Sequence, residues 1–135
     1  MTTTFEVVDT IYSFLDTSPV KTEISGSLCK HRRDGNSRKE DIVINCLPIN
    51  NEQLQKAIAN INAYVPDLKV TVNGMQDLQP NHPRLKAIAG LILEAVTDKW
   101  GADYNLDVQQ QVLIQDPESG SHYINIRVEF FIENL

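Results

Sequence analysis

Features that mark many specialised protein classes are missing from this sequence. Two cysteines, Cys29 and Cys46, are too few for a disulfide scaffold. No apolar run approaches the roughly 20 residues that a membrane-spanning helix needs. The opening stretch MTTTFEVVDT lacks the basic start and the apolar block of a signal peptide. We therefore expect a soluble protein of the cytoplasm that makes no contact with a membrane.

Signatures of cofactor and metal chemistry are also missing. The glycines within 73–77 and 117–121 lie in short polar segments typical of turns, and neither segment is a Gly-rich phosphate loop. The three histidines, His31, His82 and His122, fall at predicted element ends without the paired spacing of a zinc site. We therefore predict that the chain uses no cofactor and no metal.

Cys29 and His31 come closest to a catalytic arrangement. Side chains two residues apart on a strand share a face, but nucleophilic catalysis also needs an orienting group and an oxyanion site. The sequence indicates neither, and Cys46 is expected to pack in the sheet as a small apolar residue. We predict a protein without enzymatic activity; a small enzyme built on Cys29, His31 and Asp34 is a competing hypothesis.

Charge is distributed unevenly along the chain. The 135 residues suit a single domain spanning 1–135, and their net charge is −6. Phosphate affinity comes mainly from Lys and Arg, so this acidic balance disfavours general nucleic-acid binding. Residues 30–41, KHRRDGNSRKED, are the exception, because five of the twelve basic residues fall there and the segment nets +2. This segment is therefore the first candidate for a functional site.

The first predicted element is a helix over residues 3–16. Thr3 and Glu6 have the spacing of a capping box. Apolar residues then recur at helical intervals at Phe5, Val8, Ile11, Tyr12 and Leu15. The residue before Pro19 is pushed towards extended geometry, so the segment 17–19 ends the helix.

A second helix is predicted after residue 80. Asn81 is its candidate cap and Pro83 lies in its first turn. Gly101, just after Lys99 and Trp100, is placed for a left-handed helix stop. The inward stripe of this helix consists of Leu85, Ile88, Ala89, Ile92 and Val96.

Two strands, 22–30 and 41–47, are predicted to form a hairpin about Gly35. Their apolar faces coincide in that register, which a half-buried sheet demands. The same register puts Cys29 and Cys46 on opposite faces, which disfavours a disulfide between them. The register pairs Leu28 with Ile42, Gly26 with Ile44 and Ile24 with Cys46.

Residues 50–65 fit two structures. A helix is matched by Leu54, Ala57, Ile58, Ile61 and Tyr64. A strand is matched by the alternation of Asn60, Asn62 and Tyr64 with Ala59, Ile61, Ala63 and Val65. We favour a helix-like or irregular lead-in followed by a strand at about 57–65, closed by Pro66 and Asp67.

The end of the chain predicts a hairpin of two long strands about Ser119. The pattern puts Ile124, Ile126, Val128, Phe130 and Ile132 on one face and Tyr123, Asn125, Arg127, Glu129 and Glu133 on the other. The register pairs Ile114 with Ile124, Val112 with Ile126 and Val108 with Phe130. Gln109, Gln111, Arg127 and Glu129 would then share a polar face, which is either solvated or a subunit interface with cross-strand polar pairs.

The order of these elements indicates a fold class. Segregated helices with hairpin-connected strands favour α+β, with a mainly antiparallel sheet of four to five strands and two principal helices packed on one face. Four features follow one another along the chain: Gly26, the run 39–45 (KEDIVIN), the segment 60–67 (NINAYVPD) and the final strand from His122. With them, the layout over most of the chain resembles the tail-terminator or tail-completion proteins of tailed phages and prophages, and their relatives at the head–tail junction.

The resemblance implies a structural role without a cofactor. Such subunits assemble into a ring, often a hexamer, that caps the tail tube, stops its polymerisation and joins it to the head. The protein would then occur in the host cytoplasm and in the virion. Its partners would be copies of itself and other tail or head–tail proteins, with no specific nucleic acid. The acidic balance is compatible with this role, because the lumen of such a ring must pass DNA without trapping it.

Under this hypothesis the charged segment, residues 30–41, forms a contact between subunits. Its arginines would pair with acids such as Glu129, Asp98 or Glu94 on a neighbour, because the planar guanidinium is satisfied by carboxylates. Two alternatives stay open: a solvated, flexible turn, and a small adaptor module that uses the basic loop on acidic proteins or nucleic acid. The candidate interface residues are Arg32, Arg33, Arg38, Lys39, Arg127 and Glu129.

Overall fold

The computed structural model describes residues 2–50 and 54–133. Five strands form one sheet in the order β1-β2-β3-β7-β6, and β4 and β5 form a separate two-stranded sheet. Helices α1 and α3 pack on one face of the large sheet, which confirms the predicted α+β fold with a mainly antiparallel sheet. The elements are α1 (Thr4–Asp16), α2 (Val20–Glu23), β1 (Leu28–Lys30), β2 (Ile42–Cys46), β3 (Leu54–Pro66), β4 (Leu68–Val72), β5 (Met75–Gln79), α3 (His82–Val96), β6 (Tyr104–Asp116) and β7 (Ser121–Glu133).

The first helix begins where its capping residues predict. Thr3 accepts a hydrogen bond from the amide of Glu6 at 3.3 Å, and α1 ends at Asp16, ahead of Pro19. The segment after it differs from the prediction, because residues 20–23 form the short helix α2. The strand predicted over 22–30 therefore begins only at Leu28. The buried face of α1 consists of Val7, Val8, Ile11 and Leu15.

The start of α3 is confirmed and its predicted end is wrong. Asn81 caps it by accepting a hydrogen bond from the amide of Arg84 at 3.3 Å. The helix ends at Val96, and Asp98, with φ of 56°, takes the left-handed conformation that was predicted for Gly101. Aspartate can adopt this conformation because its short polar side chain bonds locally. The predicted stripe is buried at Leu85, Ile88, Ile92 and Val96 and half-buried at Ala89.

The core lies between the two helices and the central strands.

β3 is a strand, as favoured, but it already starts at Leu54, so the predicted lead-in is wrong from there on; residues 51–53 lie outside the described chain. Small side chains on β3 lie beside large ones on the neighbouring strand β7, and both sets belong to the core that packs against the helices. The buried residues of these strands are Ala57, Ala59, Ile61, Ala63 and Val65 on β3 and Ile126, Val128, Phe130 and Ile132 on β7.

The predicted hairpin about Gly35 is wrong. Leu28 does lie opposite Ile42, but the strands run parallel, so that Cys29 pairs with Val43 and Lys30 with Ile44. Parallel neighbours need a connection that returns the chain to the same end of the sheet. Residues 31–41, which we call the charged loop, make this return, and they do not form a projecting hairpin tip.

The closing hairpin is present, but its register differs from the prediction. Next to the turn, Leu113 lies opposite Ile124, and Ile114 lies opposite Tyr123. A β-bulge between Val108 and Gln110 then shifts the register again. An extra residue in one strand reverses which side chains face the core. The other observed pairs that replace the predicted ones are Val112 with Asn125, Val108 with Val128 and Leu106 with Phe130.

The bulge decides which residues of β6 face the helices. Leu106 is buried on the helix side. Val112 was predicted to pair with Ile126 on that same side, but it is 43% exposed on the opposite face. Leu113 and Gln111 instead lie on the helix side, because their partners Ile124 and Ile126 do. The prediction that Gln111 shares the polar face is therefore wrong.

A hairpin that was not predicted lies between β3 and α3 along the chain. The turn predicted within 73–77 is confirmed, with φ of 52° at Asn73 and 78° at Gly74. Positive φ at both central residues is the geometry of a two-residue hairpin turn, and Asn-Gly is the preferred pair for it. The flanking strands β4 and β5 pair only with each other in their sheet. We call residues 68–79 the arm.

Candidate functional site

The charged loop is organised around one buried carboxylate. Asp41 is 5% exposed and accepts hydrogen bonds from the amide of Ser27 at 2.9 Å and from Arg33 Nε at 3.1 Å. The hydroxyl of Ser37 donates a further hydrogen bond to it. Because one of these donors precedes β1 and the other two lie within the loop, Asp41 ties the loop to the start of β1.

The side chain of Arg33 already has its partners within its own chain. Its side chain is only 11% exposed, and Nη2 donates to the carbonyl oxygens of Ser37 at 3.2 Å and Lys39 at 3.1 Å. The guanidinium also lies 4.4 Å from the centre of the Tyr64 ring, within the range of a cation–π contact. The partner that Arg33 was predicted to find on a neighbouring subunit is thus supplied by Asp41.

The remaining basic side chains of the loop point outwards. Arg32, Arg38 and Lys39 are exposed, and Arg38 Nη1 donates only to the carbonyl oxygen of Ser37, at 2.9 Å. The sequence therefore located a basic surface correctly, while the structure divides its arginines between an internal anchor and an outer patch. The hydrogen bonds to Asp41 restrain the charged loop, which one alternative described as a solvated, flexible turn.

A second ion pair fixes the loop to α3. Arg84 donates to both carboxylate oxygens of Glu40, at 2.6 Å and 3.0 Å, and also to the carbonyl oxygen of Glu23. The amide of Ser25 donates to Glu40 Oε1 at 3.0 Å. The hydrogen bond from Arg84 is the largest cause of a lowered pKa of Glu40, and burial opposes it. The folded state therefore favours the charged carboxylate.

The Glu40→Gln variant is expected to lose stability in a pH-dependent manner. A pKa that lies below 4.5 in the folded state adds stability above that pH, and this stability disappears as pH falls through the folded value. We expect Glu40→Gln to be less stable at pH 7 by about 1.5–3 kcal/mol, since hydrogen bonds to charged groups contribute that much. Urea denaturation at a series of pH values measures the difference, which should shrink below pH 4.5. A constant difference across this range would contradict the assignment.

The face of the large sheet opposite the helices carries a group of polar side chains. We call it the polar face; its polar group consists of Asn45, Asn60, Asn62, Asn125, Arg127 and Glu129, and Val43, Ile58, Tyr64, Val112, Tyr123 and Phe131 lie on the same face. Asn125 Nδ2 donates to Asn62 Oδ1 at 2.7 Å and to Asn60 Oδ1 at 3.2 Å. Asn60 Nδ2 in turn donates to Asn45 Oδ1 at 3.0 Å. These cross-strand bonds extend over β2, β3 and β7 and hold the amide groups in place.

The predicted interface residues Arg127 and Glu129 both lie on this polar face. Arg127 is half-buried, and its Nε donates to Asn60 Oδ1 at 3.4 Å. Glu129 accepts from Gln109 Nε2 at 2.9 Å and pairs with Lys56 Nζ at 2.9 Å. Glu129 therefore already has polar partners within its own chain, and the hydrogen bond that Arg127 donates is longer than those that Glu129 accepts.

The arm is the most exposed element of secondary structure in the described chain. Of its two strands, only Val70 is half-buried, and all other strand residues are exposed. Met75 is 75% exposed, Val72 47% and Leu68 44%, so the arm carries apolar side chains that its own core does not cover. The Asn-Gly turn between two short strands was the signal that could have revealed it.

The root of the arm is firmly held. Asp67, between β3 and β4, has a side chain that is 2% exposed and lies 2.6 Å from Nδ1 of His122. Its amide donates to the carbonyl oxygen of Gly120 at 3.0 Å. At the other end, Gln79 leads through Pro80 into the capped start of α3. Both ends of the arm are thus fixed, while its strands extend away from the core.

An apolar groove lies where α3 meets the free edge of the large sheet. Its volume is about 540 Å³, within the range of sites that bind ligand-sized groups. Leu113, the residue that the bulge turns to the helix side, is 49% exposed in it. The groove was not predicted, because it depends on the corrected register of β6. It is lined by Pro80, His82, Leu85, Lys86, Ala89, Gly90, Leu93, Gln111, Leu113 and Ile124.

The cysteines have the character of structural residues. Both are free, as predicted, and Cys46 packs against the core. Burial raises the pKa of Cys46 to about 11 and also raises the pKa of Cys29. A raised pKa lowers the fraction of reactive thiolate at neutral pH. Within residues 2–50 and 54–133, no three His, Cys, Asp or Glu side chains come together in a group suited to a metal ion.

Comparison with known proteins does not assign the chain to a family. No protein-family model matches the sequence, and no curated protein matches it. Among the helices in the described part of the chain, none is both long enough and apolar enough to cross a membrane.

Proposed function

We propose that this chain is a structural subunit of a phage or prophage tail, of the tail-terminator or tail-completion kind. It acts by assembling with copies of itself and with neighbouring tail or head–tail proteins, and it performs no catalysis. The arm is the single observation that carries the proposal. A two-stranded hairpin is marginally stable alone in water, and here it presents uncovered apolar side chains from a fixed root.

The two faces of the sheet support an assembly role in different ways. The helix face forms the core, and the polar face presents ordered amide groups together with Arg127. Polar cross-strand groups that are already oriented lose little entropy when a partner binds. The outer patch of Arg32, Arg38 and Lys39 adds a basic surface to a chain of net charge −6, which offers complementary charges between copies.

The test measures tail-tube length in the presence of the purified chain. The tail-tube protein encoded by the same genome is polymerised with and without the chain, and the tubes are measured by electron microscopy. We expect tubes that are shorter and capped by a ring at one end. Unchanged tube length, with no ring on the tubes, would overturn the proposal. In that case, capture of an acidic protein by the chain would favour the adaptor hypothesis.

A further inference from the structure

We propose that the arm of one copy docks in the apolar groove between α3 and β6 of the next copy. This inference rests on the proposed function, because it names the contact that would build the ring. It identifies a second copy of this chain as the occupant of the groove. It also assigns the main apolar contact to two surfaces that lie outside the predicted basic interface.

One face of the arm has the chemistry that such a contact needs. In the pairing of β4 with β5, Val72 lies opposite Met75 and Val70 opposite Asp77. Directly paired residues share a face, so Leu68, Val70, Val72 and Met75 all lie on one side of the arm. The opposite side carries Lys69, Thr71, Gln76 and Leu78. The apolar side therefore requires cover that its own subunit does not provide.

The groove offers a surface of matching character. Leu85, Ala89 and Leu93 form one wall on α3, and Leu113 forms the other on β6. Gly90 widens the groove, because a Cβ built on it would meet nothing within 4 Å. β6 is the edge strand of the sheet, so no further strand of the same sheet covers this side. The charges also agree, since Lys86 lines the groove and Asp77 lies on the apolar side of the arm.

Chain geometry indicates that the contact joins different copies. Pro80 and His82, which follow the arm directly, line the groove. The arm therefore begins beside its own groove, and its tip lies five residues away along β5, about 15 Å at the rise of a strand. Arm and groove are different surfaces, so a copy that docks its arm in one neighbour leaves its own groove for the arm of another. Repeated in one direction, this heterologous contact generates closed rings or open filaments, whereas reciprocal exchange of arms between two copies would stop at a dimer.

The experiment compares matched substitutions in the full chain. Val72→Asp alters the apolar side of the arm, and Thr71→Asp is its control on the opposite side. Leu113→Asp alters the groove, and Ala87→Asp, at an exposed position of α3 that does not line the groove, is its control. We expect the first member of each pair to weaken self-association by about thirtyfold or more, the effect of losing a central contact residue. The controls should associate like the wild type, as measured by light scattering over a concentration series.

Gly90→Glu alters the groove without lowering the stability of the fold. Its side chain would enter the groove, while replacement of an exposed helical glycine favours the helix. We expect Gly90→Glu to melt at or above the wild-type temperature and to associate as weakly as Leu113→Asp. A Gly90→Glu variant that associates like the wild type overturns the docking site.

Mixing the variants distinguishes arm-to-groove docking from other contacts. Val72→Asp keeps an intact groove and Leu113→Asp keeps an intact arm, so the mixture should form a 1:1 heterodimer and nothing larger. If arms instead contact each other, Leu113→Asp alone will assemble like the wild type, and the inference fails. A wild-type chain that stays monomeric but shortens tail tubes overturns the docking inference alone. Unchanged tube length overturns the proposed function, whatever the association state.

Discussion

The Asp41→Ala variant is expected to lower the free energy of unfolding by about 3–5 kcal/mol, the usual effect of removing one partner of a buried ion pair. Asp41 is 5% exposed and its partner Arg33 has a side chain that is 11% exposed, so alanine leaves a positive charge buried without its counter-ion. The amide of Ser27 and the hydroxyl of Ser37 lose their acceptor at the same time.

Urea denaturation followed by circular dichroism measures this effect. The control is Glu94→Ala, which removes an exposed carboxylate from α3 and should change stability by less than about 0.5 kcal/mol. Arg33→Leu and the double variant complete a thermodynamic cycle, in which the double variant should lose less than the sum of the single losses. If Asp41→Ala loses under 1 kcal/mol, the loop does not depend on this carboxylate.

The Gly26→Ala variant is expected to lose about 3 kcal/mol, at the upper end of the cost of overfilling a packed site. A Cβ at this position would lie 2.2 Å from Asp41 Oδ1 and 2.4 Å from the carbonyl oxygen of Glu40. The amide of Gly26 donates to that same carbonyl at 2.9 Å, so the two segments cannot separate without breaking this bond. The close approach of two backbone segments, and not a turn, explains the glycine.

Two other glycines serve as controls for Gly26→Ala. A Cβ on Gly35 or on Gly90 would meet nothing within 4 Å. Gly35→Ala should therefore be close to the wild type, and Gly90→Ala should be more stable by up to about 1 kcal/mol, because glycine is unfavourable inside a helix. Thermal melts of the three variants give the ranking. Equal melting temperatures for Gly26→Ala and Gly35→Ala would contradict the packing argument.

The sequence predicted the placement of some candidate residues and missed that of others. Clustered basic residues located the charged loop, and strand alternation placed Arg127 and Glu129 on one face with Asn125. The sequence could not show that Arg33 is internal, because its partner Asp41 was assigned to a strand of a hairpin. The arm and the groove were missed, since each depends on which surfaces the rest of the fold leaves uncovered.

The sequence by itself determined the elements that depend on local interactions. Capping by Thr3 and Asn81 acts over three residues, apolar periodicity defines the buried stripes of α1 and α3, and strict alternation identifies β7. Such signals lie within one element, so they can be read without knowing its neighbours. They were sufficient for the α+β class and for the two helices on one face.

The tertiary structure alone decided how the strands are paired. β1 runs parallel to β2 because the charged loop returns along the sheet. Asp41 and Glu40, at the end of this loop, hold it in place through their hydrogen bonds with Ser27 and Arg84. The bulge near Gln109 sets the register of β6, and with it the groove beside Leu113. β6 carries apolar residues on both of its faces, Leu113 on one and Val112 on the other, so its local pattern does not choose between registers. Long-range hydrogen bonds and side-chain packing make that choice, and they create the surfaces on which the proposed assembly depends.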